Sequence, residues 1–122
     1  MNGKTKTIIQ WVLTGLVAFI LIGSAMAKLT NGDQAAEIAK GVGGTQNLIT
    51  LGVLEIIIAL IWIYPRTGVL GTLLAASYIG GAIAVHFVNN QPVLIPVMIQ
   101  VFIWLSAAFR FPELTKRFLN KI

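Results

Sequence analysis

Four apolar runs, each close to the length of a bilayer crossing, constrain this chain more than any other feature. They cover residues 8–27, 47–64, 69–88 and 93–109, and Glu55 is the only Asp, Glu, Lys or Arg within them. At about 1.5 Å of rise per helical residue, about 20 residues cross a hydrocarbon core roughly 30 Å thick. The runs therefore read as four transmembrane helices. Composition agrees. Hydrophobic residues make up 57% of the 122, charged residues only 11%, and mean hydropathy is +0.85. An ordinary soluble domain carries roughly 25% charged residues, so this chain has too little polar surface to cover its apolar mass in water. The length suits one compact domain, residues 1–122, with lipid as its solvent.

The connections set the topology. Pro65-Arg66-Thr67-Gly68 and Asn89-Asn90-Gln91-Pro92 are tight turns, and Pro65 disfavours helical geometry at Tyr64. Pro96 is tolerable in the first turn or so of its helix. Short connections make consecutive helices antiparallel neighbours. Only residues 28–46 form a long polar connection. There Thr30-Asn31-Gly32-Asp33 has the character of a capping box. A short amphipathic helix is expected from about Asp33 to Lys40, ended by Gly41, Gly43 and Gly44. Its Ala36, Ile38, Ala39 and Val42 would rest on the bundle or the headgroup boundary. This segment reads as a surface flap, with a lid over a cavity as the sharper alternative.

The first run also has features of a secretory signal, namely Lys4 and Lys6, a core from Trp11 to Gly23, and Ala25-Met26-Ala27 as an A-x-A site. Its bilayer length supports reading it as the first spanning helix. With both termini on one side, that side receives Lys4, Lys6, Arg66, Arg110, Lys116, Arg117 and Lys121, and the other only Lys28 and Lys40. Seven against two places both termini, including the basic tail 110–122, in the cytoplasm. Trp11, Trp62, Trp104 and Tyr64 then fall in the inner half or at the inner interface. The expected fold is all-α: an integral membrane, antiparallel four-helix bundle, multi-pass in the cell inner (cytoplasmic) membrane. The net charge of +5 serves topology under this reading, and no nucleic-acid partner is expected.

Glu55 is the chemical anomaly. An ionised side chain at the bilayer midplane costs roughly 2.5–3.5 kcal/mol on insertion scales, so it needs a partner or a held proton. Helix rise places Tyr78 and Gln100 at its depth, with Ser24, Lys28 and His86 nearer the outer edge; His86 lies roughly 12 Å above Tyr78. Gly52, Glu55 and Ala59 share a face at i−3 and i+4, a small-residue pattern that lets helices approach. Gly71, Ala75, Tyr78, Ala82 and His86 share another, and Pro96, Gln100, Ile103 and Ala107 a third. Ser24 and Lys28 are an i, i+4 pair. The prediction is a polar column running from the outer surface down to Glu55. If Lys28 bends inward far enough, Glu55 stays ionised; if not, it is held protonated, hydrogen-bonded by Tyr78 or Gln100.

An intramembrane carboxylate is a functional-site hypothesis by default. Against it stands a bland role as polar glue between helices. Lys28 equally suits a snorkelling anchor, and His86 an interfacial hydrogen-bonding group. With no cysteine, disulfides, thiol chemistry, thiolate metal sites and Fe–S ligation are excluded, and a single histidine cannot supply bis-His haem ligation. No nucleophile triad, phosphate loop or metal spacing is present. The isolated chain is therefore not expected to be an enzyme, and any redox role needs an organic cofactor or a partner protein.

Ser24-Ala25-Met26-Ala27-Lys28-Leu29, then Gly52 to Leu60, then Pro65-Arg66-Thr67, then Gly71 to His86 with Tyr78, Gly80, Gly81 and Ala82, resemble in order and spacing the DoxX-like membrane proteins. The resemblance runs from Trp11 to Phe109, with Ala25 where the family usually has glycine. It implies a small four-helix membrane protein. The family takes its name from a subunit of a quinone-reducing thiosulfate oxidoreductase, and other relatives look like membrane partners of redox or stress-response proteins. It carries Lys28, Glu55 and His86 forward as the positions of interest and establishes no catalytic role. Three functions follow as expectations. The first is an accessory subunit whose outward-facing polar pocket, with Glu55, His86, Lys28, Tyr78, Gln100 and Ser24, takes a quinone or other small amphipathic ligand. The second is a small proton-coupled transporter using Glu55. The third is a structural assembly partner, as a homo-oligomer or with another protein, whose basic tail recruits a cytoplasmic partner or anionic lipid.

Overall fold

The computed structural model describes residues 2–30 and 33–119 and is all-α. The helices are α1 (Gly3–Leu29), α2 (Asp33–Val42), α3 (Thr45–Ile63), α4 (Gly68–Val88), α5 (Leu94–Arg110) and α6 (Pro112–Phe118), with a 3₁₀ turn at Pro65–Thr67 between α3 and α4. By length and hydropathy, α1, α3 and the Pro65–Val88 stretch can each cross a membrane; α5 joins them if its bent continuation α6 is counted with it. Their flanks suit lipid. Phe19 is 76% exposed and Phe87 75%, with Val12, Leu60 and Leu94 also bare, an amount of apolar surface that water does not tolerate.

Local chemistry explains the boundaries. α1 starts five residues before the apolar run because Asn2 caps it, its side chain accepting from the Thr5 amide at 2.8 Å. At its other end α1 runs through Lys28 to Leu29 and closes on Thr30. Thr30 thus ends one helix, while Asn31 and Gly32 of the expected capping box lie outside the described residues, as does Lys121. Gly43 and Gly44, at φ +95° and +119°, supply the left-handed backbone between α2 and α3. Tyr64 is extended ahead of Pro65, which stops α3. α6 was not anticipated. Pro112 opens it, Glu113 sits in its first turn and Lys116 and Arg117 in its last, each suited to the helix dipole. It turns from α5 by 110°.

Packing is pairwise and antiparallel. Thr14 meets Trp62 while Lys28 meets Glu55, so α1 and α3 run in opposite directions. Tyr78 meets Glu55, and Gly71 lies against Trp62, so α4 opposes α3. Gln100 meets Ala76, and Gly68 lies against Phe111, so α5 opposes α4. α1 also packs on α5. Two glycines make this closeness possible. A Cβ at Gly71 would sit 2.5 Å from the Trp62 Cα, and one at Gly52 would sit 2.9 Å from the Leu29 side chain. The core, with Val17, Leu21, Ile58, Trp62, Ala75 and Ile103, lies between the four long helices.

Trp62, placed near the inner interface from sequence, is fully buried. Its indole N–H donates to the Thr14 carbonyl at 3.1 Å, and the Thr14 and Ser106 hydroxyls lie 3.2 Å apart. Some other hydroxyls are satisfied within their own helices, as when Thr72 bonds the Gly68 carbonyl at 2.8 Å. α2 docks through Ala35 and Ala39, with Ile38 and Val42 alongside, onto Leu48 of α3. Ala36, expected on that face, points outward; the helical phase puts Ala35 and Ala39, an i, i+4 pair, on the buried stripe instead.

Candidate functional site

Glu55 is 1% exposed, midway along α3, and three side chains converge on one of its oxygens. The Lys28 ammonium at the end of α1 makes an ion pair with Glu55 Oε1. Tyr78 Oη of α4 donates to the same oxygen at 2.7 Å, and Ser24 Oγ of α1 donates to it at 3.2 Å. Lys28 also donates to Ser24 Oγ at 2.6 Å. The buried carboxylate thus has the lysine as its counter-ion, with a phenol and an alcohol as further donors. Each partner is placed by a simple rule. Ser24 and Lys28 share a face of α1 through i, i+4 spacing. Gly52 lets α1 approach within reach of the carboxylate. Tyr78, seven residues from Gly71, lies two turns along the face that packs on α3.

Such an arrangement offsets the cost of burying two charges only where further hydrogen bonds accompany the pair, as Tyr78 and Ser24 supply to Oε1 here. Here the Lys28 side chain keeps 13% exposure, so its charge sits at the edge of the buried region and the Glu55 charge inside it.

Gln100 takes no part. Its Nε2 donates to the Ala76 carbonyl of α4 at 3.0 Å, and its Oε1 is buried without a partner among the described residues. Depth placed Gln100 at the level of Glu55, but rotation about α5 turns it toward α4. His86 stands apart from the ion pair on the same cavity wall. Its Nδ1 lies 2.7 Å from the Ala82 carbonyl. A carbonyl only accepts, so Nδ1 carries a proton.

The cluster floors a cavity of about 760 Å³, within the 300–1,000 Å³ of typical small-molecule sites. Ser24, Lys28, Glu55, Tyr78 and His86 belong to its polar lining, with Glu37, Ser77 and Gln91, and Leu21, Ile79, Ile95 and Ile99 are part of its larger apolar lining. α2 forms its roof through Glu37, Ile38, Gly41 and Val42. Asn89, just past α4, ties that roof down by donating to the Gly41 carbonyl at 3.3 Å. The position of α2 over the cavity agrees with the lid alternative rather than with a bare surface flap, while the bond from Gln100 to the Ala76 carbonyl escaped sequence reasoning. The amphipathic pattern of α2 signalled that it would dock, but nothing in the pattern said over what. Among the described residues no cluster of three or more His, Asp or Glu side chains is arranged to hold a metal ion.

A family model described as the DoxX-like family matches residues 12–109, most of the chain and all of the cavity's polar lining. No curated protein and no solved structure matches the chain.

Proposed function

This chain belongs to the DoxX-like family, and from that membership and the buried ion pair we propose an accessory membrane subunit whose cavity holds a small amphipathic molecule. In this reading α1, α3, α4 and α5 cross the inner membrane as an antiparallel four-helix bundle with both termini in the cytoplasm. The seven-to-two distribution of basic residues supports that orientation. α2 then lies on the outer face, and the cavity opens away from the cytoplasm. A quinone is the occupant suggested by the redox associations of the family, in support of a redox or stress-related system.

The observation that carries the reading is the Lys28–Glu55–Tyr78 cluster at the floor of a large, mainly apolar cavity. Few placed polar groups inside an apolar wall are the usual form of a small-molecule site. Polar glue alone needs no such space beside it. The ion pair also weighs against a proton carrier, because Glu55 already holds a cation and would have to release Lys28 for every proton taken up.

Purification in lipid nanodiscs followed by solvent extraction and mass spectrometry tests the proposal. A stoichiometric isoprenoid quinone or other amphiphile is expected with the wild-type protein and a depleted amount with Gly81→Trp. At Gly81, a cavity-lining position, an added Cβ meets no heavy atom within 4 Å. Equal recovery from both proteins, or from empty nanodiscs, would refute it.

A further inference from the structure

We infer that the cavity selects an uncharged amphiphile with a hydroxyl in its head, which donates to Glu55 Oε2; this rests on the proposed ligand-binding role of the same cavity. Two observations carry it, the charge of the floor and the asymmetry of its hydrogen bonds.

The first is charge. One ammonium and one carboxylate face each other at the floor, so the buried charge there sums to zero. A carboxylate or ammonium head would bring a second, uncompensated charge into a mainly apolar cavity, at a cost of several kcal/mol. A neutral head brings no such cost. The apolar lining accepts the body of the molecule, and about 760 Å³ is room for one of drug-like size.

The second is the asymmetry. Lys28, Ser24 and Tyr78 all donate to Glu55 Oε1. Oε2 receives no hydrogen bond among the described residues, although Glu55 is 1% exposed and lines the cavity. A carboxylate oxygen is acceptor-only, so what completes the site is a donor. The cavity's own hydroxyls do not supply it, since the single hydrogens of Ser24 and Tyr78 are committed to Oε1 and that of Ser77 to the Leu73 carbonyl. Lys28 uses two of its three hydrogens, on Ser24 and on Glu55. A hydroxyl meets both remaining needs, donating to Oε2 and accepting the third lysine hydrogen. A ketone or an ether accepts only and leaves Oε2 bare, so of a quinone and its quinol the cavity favours the reduced, hydroxyl-bearing form.

A matched pair of probes decides the matter. 4-Nonylphenol and its methyl ether have the same apolar body, and only the phenol has the O–H. Their binding is measured in nanodiscs by isothermal titration against empty-nanodisc blanks, with decylamine and decanoate as charged heads. Wild type is expected to bind the phenol at least about tenfold more tightly than the ether, as a hydrogen bond to a charged acceptor requires. Both charged probes should bind more weakly still. In Glu55→Gln the amide oxygen keeps Ser24 and Tyr78 as donors and the amide N–H₂ takes the place of Oε2. The cavity then offers a donor, and the preference should collapse or reverse toward the ether.

Equal affinity of wild type for phenol and ether overturns the inference and leaves the cavity a binding site of another kind. Absence of binding by every probe overturns both. Glu55→Gln keeping the wild-type ratio also overturns the inference, because the selectivity then arises elsewhere. If that variant does not fold, the wild-type ratio decides together with Gly81→Trp, which must lose the phenol; retained binding there places the probe outside the cavity and overturns the inference.

Discussion

Breaking the ion pair from either side should have unequal consequences, and the structure gives the order. Lys28→Met keeps the length and apolar stem of the side chain but leaves Glu55 at 1% exposure without its counter-ion. Removing one partner of a buried pair typically costs about 3–5 kcal/mol. Tyr78 and Ser24 still donate to Oε1, and the carboxylate can take up a proton instead of remaining charged, so the lower end, about 3 kcal/mol, is expected. Glu55→Gln orphans the lysine instead. Lys28 is one residue from the end of α1, retains 13% exposure and has a flexible four-carbon stem, so it can swing to the headgroup layer. That variant should cost about 1–2 kcal/mol, the scale of one weakened hydrogen-bond set. The double variant should be no worse than Lys28→Met alone, because neither charge is left unpaired. Reversible unfolding in mixed micelles, followed by far-ultraviolet circular dichroism, gives all four stabilities. If Glu55→Gln proves as costly as Lys28→Met, or the two effects simply add, the ion pair is not what holds these helices together and the reasoning fails.

Gly71→Ala should destabilise by about 1–3 kcal/mol, since its Cβ would meet Trp62 backbone at 2.5 Å rather than a side chain able to move aside; the same unfolding assay measures it, and Gly15→Ala, where nothing lies within 4 Å, should be silent or slightly stabilising. Trp62→Phe should cost about 1–3 kcal/mol by leaving the Thr14 carbonyl without the indole donor and by vacating buried volume, read as a lower unfolding midpoint. With no native cysteine, single substitutions report topology directly: in the proposed orientation Asn90→Cys reacts with an impermeant maleimide on intact cells stripped of any outer envelope, and Leu119→Cys reacts only after lysis. Labelling of both from outside would refute the orientation.

The limits of legibility are instructive at particular residues. Helix boundaries came within a few residues where a breaker marks them, as at Pro65, and drifted where a cap extended a helix into polar sequence, as at Asn2. α6 lay in a tail read only for its charge, although Pro112, Glu113, Lys116 and Arg117 carry the usual signals of a short helix. Depth alone put Trp62 in the inner half or at the inner interface and said nothing about rotation; the missing Cβ of Gly71 brings α4 onto the Trp62 backbone, beside a core that encloses the indole. Gln100 was placed at the right level and the wrong angle for the same reason.

Taken alone, the sequence determined that this is an all-α membrane protein of the DoxX-like family. Apolar run length and breaker position are one-dimensional properties, and lipid turns them into helices with little further choice. It also raised Glu55 as a problem needing a partner, because the cost of a midplane charge depends on depth alone. The tertiary structure decided which partner answers it. Helix separation, set at Gly52 and Gly71, brings Lys28 and Tyr78 to one oxygen, while rotation about α5 sends Gln100 to Ala76. The same geometry left the other carboxylate oxygen without a donor beside open space. Reach and rotation are three-dimensional quantities, and hydrogen bonds that form or fail within a few tenths of an ångström are settled only there.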